Sequence, residues 1–189
     1  MEEKENPGII GVDEAGRGPL AGPVFAAAVY LRGEIDFKDK VKDSKKLTAK
    51  RREEIYLKII SSPEIKWAYS FSVVETIDRI NILEATKRAM ERAIKKLDLD
   101  LPVVIDGNFR LNISLNQKSI PGADRDILEC SLASIISKVK RDKYMEKKDK
   151  IYPLYLFSKH KGYGTKKHRE MIEKYGPCSL HRRSFRLLP

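Results

Sequence analysis

Cysteine is scarce in this 189-residue chain: Cys130 and Cys178 are the only two, far apart and in no Cys-x-x-Cys pair. That argues against a disulfide framework and a cysteine-built zinc site, and it points to a reducing compartment, the cytoplasm. Long apolar runs are missing too. The longest, Val24 to Leu31, has eight residues, against the roughly 20 needed to span a bilayer. The opening Met1 to Pro7 is charged and holds no apolar stretch, so no secretory signal is expected. No nucleophilic-cysteine signature, Ser/His/Asp signature, phosphate-binding P-loop, internal repeat or heptad seam is present.

What remains is a globular composition, 41% hydrophobic, of a length that suits one compact domain with a real core. Its charge is lopsided. The net charge is +11, and Lys138 to Pro189 alone carry 16 Lys and Arg against 5 Asp and Glu. The first 137 residues hold 22 of each sign and cancel. A basic final third on a neutral body suits phosphates, although charged helices are also simply solvated.

Patterning predicts strands over residues 9–13 and 24–31, separated by the Gly/Pro-rich turn 16–23. A helix is expected over 49–60, ended by Pro63, and a strand from Trp67 to Val74, where large apolar residues alternate with small ones. Residues 82–97 form an amphipathic helix with Leu83, Met90, Ile94 and Leu97 on its buried side, and Asn81 and Glu84 have capping-box spacing. Val103 to Asp106 is a short strand, followed by strand-like pieces over 111–120. A long helix over 125–148 uses Leu128, Leu132, Ile135 and Val139, and a last helix is expected around 165–175. The order implies an α/β fold with a mixed sheet.

The chemistry concentrates where apolar strands end. Asp13 and Glu14 close the first strand and are followed by Gly16-Arg17-Gly18. Adjacent strand residues point to opposite faces, so both acids reach one site only if the chain leaves strand geometry. Alone, such a pair is better explained by solvation. Asp106 ends a second apolar strand before Gly107 and repeats the pattern. Carboxylates brought together repel unless a cation neutralises them, and hard oxygen ligands suit Mg²⁺ or Mn²⁺. A further acid could be Asp124, Asp126 or Asp142. Asp124 and Asp142 lie five helical turns apart, about 27 Å, so they cannot share an ion, and Asp124 is also a natural helix cap. His160-Lys161-Gly162-Tyr163-Gly164-Thr165 interleaves cations, glycines and a ring before a helix, a pattern that suits phosphates and a stacked base or sugar. Asp43-Ser44-Lys45-Lys46-Leu47 is weaker, and Asn81 is either a cap or a phosphate contact.

Together these segments resemble bacterial ribonuclease HII, the type 2 ribonucleases H. The resemblance is carried by Gly11 to Val24, Asp43 to Leu47, Asn81 to Thr86, Ile105-Asp106-Gly107, Ala133 to Asp142, His160 to Thr165 and His181 to Phe185, in family order along nearly the whole chain. It implies an RNase H-like mixed five-stranded sheet flanked by helices, with a small helical C-terminal extension. Residues 1–189 would then be one catalytic domain, with about 150–189 as a basic substrate-binding part. The implied activity is metal-dependent cleavage of RNA in RNA/DNA hybrids and removal of ribonucleotides embedded in duplex DNA. The cut falls 5′ to the ribonucleotide and leaves 3′-hydroxyl and 5′-phosphate ends.

The resemblance assigns Asp13, Glu14, Asp106 and Asp124 as catalytic, metal-holding carboxylates for two divalent ions, Mn²⁺ or Mg²⁺. The backbone of Gly16, Arg17 and Gly18 would read the ribose 2′-hydroxyl, and Tyr163 would pack on the next sugar. Lys46 and Asn81 would meet phosphates. One departure is that the family's usual Lys-Gly-Asp is Gly122-Ala123-Asp124 here, although the 18-residue spacing back from Asp142 still lands on Asp124. A monomer is expected, with no membrane partner. The rival readings are a junction resolvase on a related fold and a non-catalytic nucleic-acid-binding module.

Overall fold

In a computed structural model, which describes residues 8–41 and 48–189, five strands form one mixed sheet. They are β1 (Ile10–Ala15), β2 (Val24–Leu31), β3 (Ile65–Ser72), β4 (Val103–Asp106) and β5 (Gln117–Ile120), in spatial order β3-β2-β1-β4-β5. The first three pair antiparallel, whereas β4 runs parallel to both β1 and β5. The helices are α1 (Lys38–Val41), α2 (Ala49–Ser61), α3 (Val74–Ile80), α4 (Ile82–Leu97), α5 (Leu128–Asp149), α6 (Phe157–His160) and α7 (Lys166–Tyr175).

Both sheet faces are covered, which is why β2 reads as an unbroken apolar run. Ala26 and Ala28 face a core built with Ala89, Met90, Ala93, Ile94 and Leu97 of α4. Ala27 and Val29 face the other core, with Leu132, Ile135, Ile136 and Val139 of α5 and Ile55 and Ile59 of α2. The closest approach is at Gly11 of β1, where an added Cβ would overlap the backbone at Glu129 and Cys130 of α5. Glycine there lets the long helix lie directly on the central strand.

Three expectations shift. The alternation from Trp67 onward stops at Ser72, because Val74 and Ile77 have helical spacing and are buried in α3. Residues 111–116 are loop rather than strand. The Gln117 side chain serves the N–H and C=O of Leu111, at 2.7 and 3.0 Å, in place of a ladder. The long helix begins at Leu128, after an extended Ile127 and a 3₁₀ turn over Ala123–Arg125. At the α3–α4 junction Asn81 has φ +67°, and its Oδ1 accepts the Glu84 N–H at 3.0 Å, as capping requires.

Gly11→Ala is expected to lower unfolding free energy by about 1–3 kcal/mol through overpacking. In an open strand the same change is neutral or stabilising, so the sign of the shift in urea midpoint reads whether α5 sits on β1.

Candidate active site

Parallel pairing of β1 with β4 matches Val12 to Ile105, and so brings the next residues, Asp13 and Asp106, level at one sheet end. Gly122 then donates its N–H to Asp106 Oδ1 at 2.7 Å, pinning the 3₁₀ turn that carries Asp124 against that end. One carboxylate oxygen from each of Asp13, Asp106 and Asp124 lies within 4.8 Å of the others. Three acids from three segments therefore converge, with Asp13 and Asp124 buried. Of the three candidates for the last acid, Asp124 is the one in the cluster. Asp142 lies far down α5, paired with Lys138 at 2.8 Å.

Glu14 is outside that trio, but its carboxylate comes close to the Asp13 side chain and lines the groove beside it. Arg17 holds its Oε1 at 3.4 Å, while Oε2 is buried with no hydrogen-bond partner. An orphaned anionic oxygen beside three acids is a site short of positive charge. Burial above all, then the charges of Glu14 and Asp106, pushes the Asp13 carboxyl well above its usual range. Burial also raises Glu14, against the pull of Arg17. A hard divalent cation fits this all-oxygen donor set and would relieve both strains. Beneath the cluster, burial drives the Cys130 thiol up to about 12, so it is no nucleophile at neutral pH.

Next to the acids runs a groove lined by Glu14, Gly16, Arg17, Ser134, Lys138 and Tyr163. The loop that carries Tyr163 is docked onto the glycine turn. Gly162, with φ +85°, abuts Ala21 so closely that a Cβ would overlap its carbonyl, and Leu20 donates to Gly162 O at 2.8 Å. The half-exposed Tyr163 ring faces Gly18 and lies near two cations, Lys138 Nζ at 5.7 Å and Arg141 Cζ at 5.8 Å from its centroid. The structure thus brings Gly16, Arg17, Gly18 and Tyr163 together beside the acids. Asn81 lies in a separate depression with Asp78 and Ser184, and Lys46 lies outside the described residues.

The support behind this groove was not among the residues expected from the sequence. The three histidines of the chain gather under Tyr163. His168 Nδ1–H donates to Tyr163 O at 2.9 Å, so its Nε2 accepts, and the partner is His181 Nε2–H at 3.1 Å. His181 Nδ1 in turn accepts the Cys178 N–H at 2.9 Å. This chain of bonds requires both rings to be neutral. Burial first of all lowers each of them to about 4. In the same region Arg141 and Arg182 are fully buried and bonded to backbone carbonyls.

The sign of the pH effect follows. A histidine whose folded pKa lies below its unfolded value of about 6.5 contributes its full stability above that pH. That contribution is lost as pH falls toward about 4. Each proton taken up only by the unfolded chain costs about 1.4 kcal/mol per pH unit. Wild-type stability from urea denaturation should fall over this window, and His181→Gln should flatten the slope. The raised Asp13 and Glu14 act in the opposite sense, so the difference between the two slopes isolates the histidine share. Parallel slopes would refute the assignment.

Comparison with known proteins places the chain. Residues 10–188 match the family model for ribonuclease HII. The ribonuclease HII of Caldicellulosiruptor bescii is 48% identical over 180 residues, covering 94% of this chain and 85% of that protein. The Treponema denticola enzyme is 46% identical over 94% of this chain and 97% of its own length. Among solved structures, the RNase HII of Archaeoglobus fulgidus, determined in complex with PCNA, superposes with a TM-score of 0.82 at 24% identity, covering 96% of each chain. The Pyrococcus horikoshii ribonuclease H2 gives 0.76 at 25% identity over 95% and 94%. A Bst-RNase HIII in complex with Mn²⁺ gives 0.74 at 20% identity, over 95% of this chain and 67% of that one. With the RNase H-like fold and the acidic cluster already in place, these matches settle the assignment: the chain belongs to the ribonuclease HII family and is a type 2 ribonuclease H.

Proposed function

We propose that this ribonuclease H is a metal-dependent endonuclease that hydrolyses RNA paired with DNA and cuts 5′ to single ribonucleotides embedded in duplex DNA. The products would carry 3′-hydroxyl and 5′-phosphate ends, and the biological role would be removal of ribonucleotides from DNA. The observation that carries this reading is the convergence of Asp13, Asp106 and Asp124 beside a groove that joins the Gly16–Gly18 turn to Tyr163.

Asp13, Asp106 and Asp124 are assigned as the residues that hold divalent ions, Mg²⁺ or Mn²⁺, with Glu14 as the fourth carboxylate. When bound, such ions supply a water of lowered pKa and positive charge beside the departing 3′-oxygen. The protein's part is orientation. The Gly122 N–H on Asp106 Oδ1 fixes the orientation of that carboxylate. Arg17 holds Glu14 by one oxygen and leaves the other, Oε2, facing the shortage of positive charge. The Gly16-Arg17-Gly18 backbone reads the 2′-hydroxyl, the group that separates RNA from DNA. The Tyr163 ring packs on the neighbouring sugar, and Lys138 and Arg17 draw the phosphates into the groove. Residues from about 150 to 189 serve as the basic substrate-binding part, and Asn81 and Lys46 are assigned to backbone phosphates. All of these groups come from one chain, so a monomer is the working unit.

The decisive assay uses a DNA duplex with one internal ribonucleotide, with and without EDTA, and maps the cut. Cleavage 5′ to the ribonucleotide that EDTA abolishes is expected, whereas a junction resolvase would ignore that position. Asp13→Asn and Asp106→Asn should each cost more than the roughly 10–100-fold typical of groups that only support a metal ligand. Near-normal cleavage by either variant refutes the site.

A second expectation comes from the raised carboxyls. A cation selects the ionised form, so Mn²⁺ or Mg²⁺ binding should release protons and tighten as pH rises through the raised Asp13 and Glu14 range. Calorimetry in buffers of different ionisation enthalpy measures that release, and Asp13→Asn should diminish it.

A further inference from the structure

The turn from Gly16 to Pro23 carries its carbonyls inward, onto two arginines. Arg182 Nη2 donates to Gly16 O at 2.6 Å and Gly22 O at 2.7 Å, Nη1 to Arg17 O at 2.8 Å, and Nε to Gly22 O at 2.9 Å. Its backbone N–H takes Leu20 O at 2.9 Å. Arg141 takes Ala21 O and Pro23 O, each at 3.1 Å. Both guanidinium groups are fully buried, and no carboxylate among the described residues lies within ion-pairing distance of either. Asp78 and Asp142 attract them only from farther away, and burying a cation without a contacting counter-ion costs several kcal/mol. The compensation visible here is the set of carbonyls each gathers, which a planar five-donor fork can span and an ammonium cannot.

Holding those carbonyls fixes the other side of each peptide. In a trans peptide the N–H of one residue points opposite to the C=O of the residue before it. With Gly16 O and Arg17 O bound to Arg182, the N–H groups of Arg17 and Gly18 are turned the other way. That is the side of the groove, where Gly16 and Arg17 line the wall opposite Tyr163. The turn does not adopt this shape by default: Gly16 has φ +103°, and a Cβ there would overlap Arg141 Nε. Positive charge on the carbonyl side also polarises the same peptides and strengthens their N–H donors.

We propose that Arg182 is a positioning residue for ribose selectivity: by clamping the carbonyls of Gly16 and Arg17 it aims two backbone N–H groups at the 2′-oxygen of a bound ribonucleotide. This rests on the reading that the Gly16–Gly18 backbone meets that hydroxyl. Arg182 never touches substrate. The alternative is that it merely ties the C-terminal tail to the body. A second tie exists for comparison, because Asp78 accepts the backbone N–H groups of Arg183 and Ser184 at 3.0 Å each.

The test compares two duplexes, one with a single ribonucleotide and one with its 2′-fluoro analogue, which keeps the sugar shape but is a poor hydrogen-bond acceptor. The readout is the ratio of kcat/KM for the two, which a loss of folded enzyme leaves unchanged. Wild type should favour the ribonucleotide strongly. Arg182→Met should lower that ratio at least tenfold, with the Mn²⁺ concentration for half-maximal activity unaltered. Arg182→Lys should give an intermediate ratio and serves as the decisive variant if Arg182→Met does not fold. Asp78→Asn, which loosens the tail and removes a distant attractive charge but leaves the carbonyl partners of Arg182 in place, should keep the wild-type ratio.

A wild-type enzyme with no preference would refute the 2′-hydroxyl reading itself. A selective wild type with unchanged ratios in the foldable Arg182 variants would overturn only the role of Arg182. An equal fall in the ratio for Asp78→Asn would likewise overturn it, because tail anchoring would then suffice.

Discussion

The approach of α5 to β1 at Gly11 sets the geometry of everything around it. Any side chain at that point would push the helix off the central strand. The turn that precedes the helix would move with it, because Ser131 of α5 bonds back to Asp124 O. Asp124 reaches Asp13 and Asp106 only because the helix lies this close. The metal-type cluster is therefore a consequence of backbone packing on the same sheet face, since Gly11 and Asp13 both lie on the side that α5 covers. Gly122 adds the lateral tether, tying Asp106 to the turn through its amide.

That packing creates an electrostatic cost which it does not itself relieve. Two of the three carboxylates are buried, and Glu14 has an oxygen with no partner. Like charges this close in low dielectric cannot all ionise without a counter-charge. The nearest fixed cation, Arg17, neutralises Glu14 only partly. A site that is strained as an anion cluster and satisfied by a hard cation is what the donor set would require of a hydrolase acting on phosphodiesters, where positive charge must meet the departing oxygen.

Much of this was legible in the chain because it is local. Apolar runs ending in Asp13 and Asp106 marked two strand ends, and the α4 stripe and the Asn81 cap follow from spacing of three and four residues. What escaped was what tertiary structure decides. Alternation carried the third strand pattern past Ser72, although Val74 and Ile77 belong to a helix. Strand-like residues 111–116 are held as a loop by one glutamine side chain. Asp124, Asp126 and Asp142 could not be told apart on local grounds; the family resemblance pointed to Asp124, and the packing of α5 on β1 brings that residue to Asp13 and Asp106. Glu14 illustrates the limit from the other side. Alternation alone would point it away from Asp13, yet at the strand end its carboxylate comes close to Asp13 and the groove while staying outside the trio.

The buried arginines escaped for a deeper reason. Surface cations are the rule, so Arg141 and Arg182 read as part of a basic solvated third. The net charge of +11 thus overstates the charge on offer to phosphates, since two of those cations face inward. Their hydrogen bonds to the turn span 118 to 166 residues of sequence, joining the C-terminal third of the chain to its first turn. A turn of glycines has little shape of its own, because glycine loses the most entropy on being fixed. Its shape must be imposed from outside, and here the clamp comes from a residue near the end of the sequence. The acids are set by the sheet and α5, whereas the neighbouring turn is set by the tail. Cutting and choosing where to cut therefore rest on separate supports, although their residues adjoin in sequence.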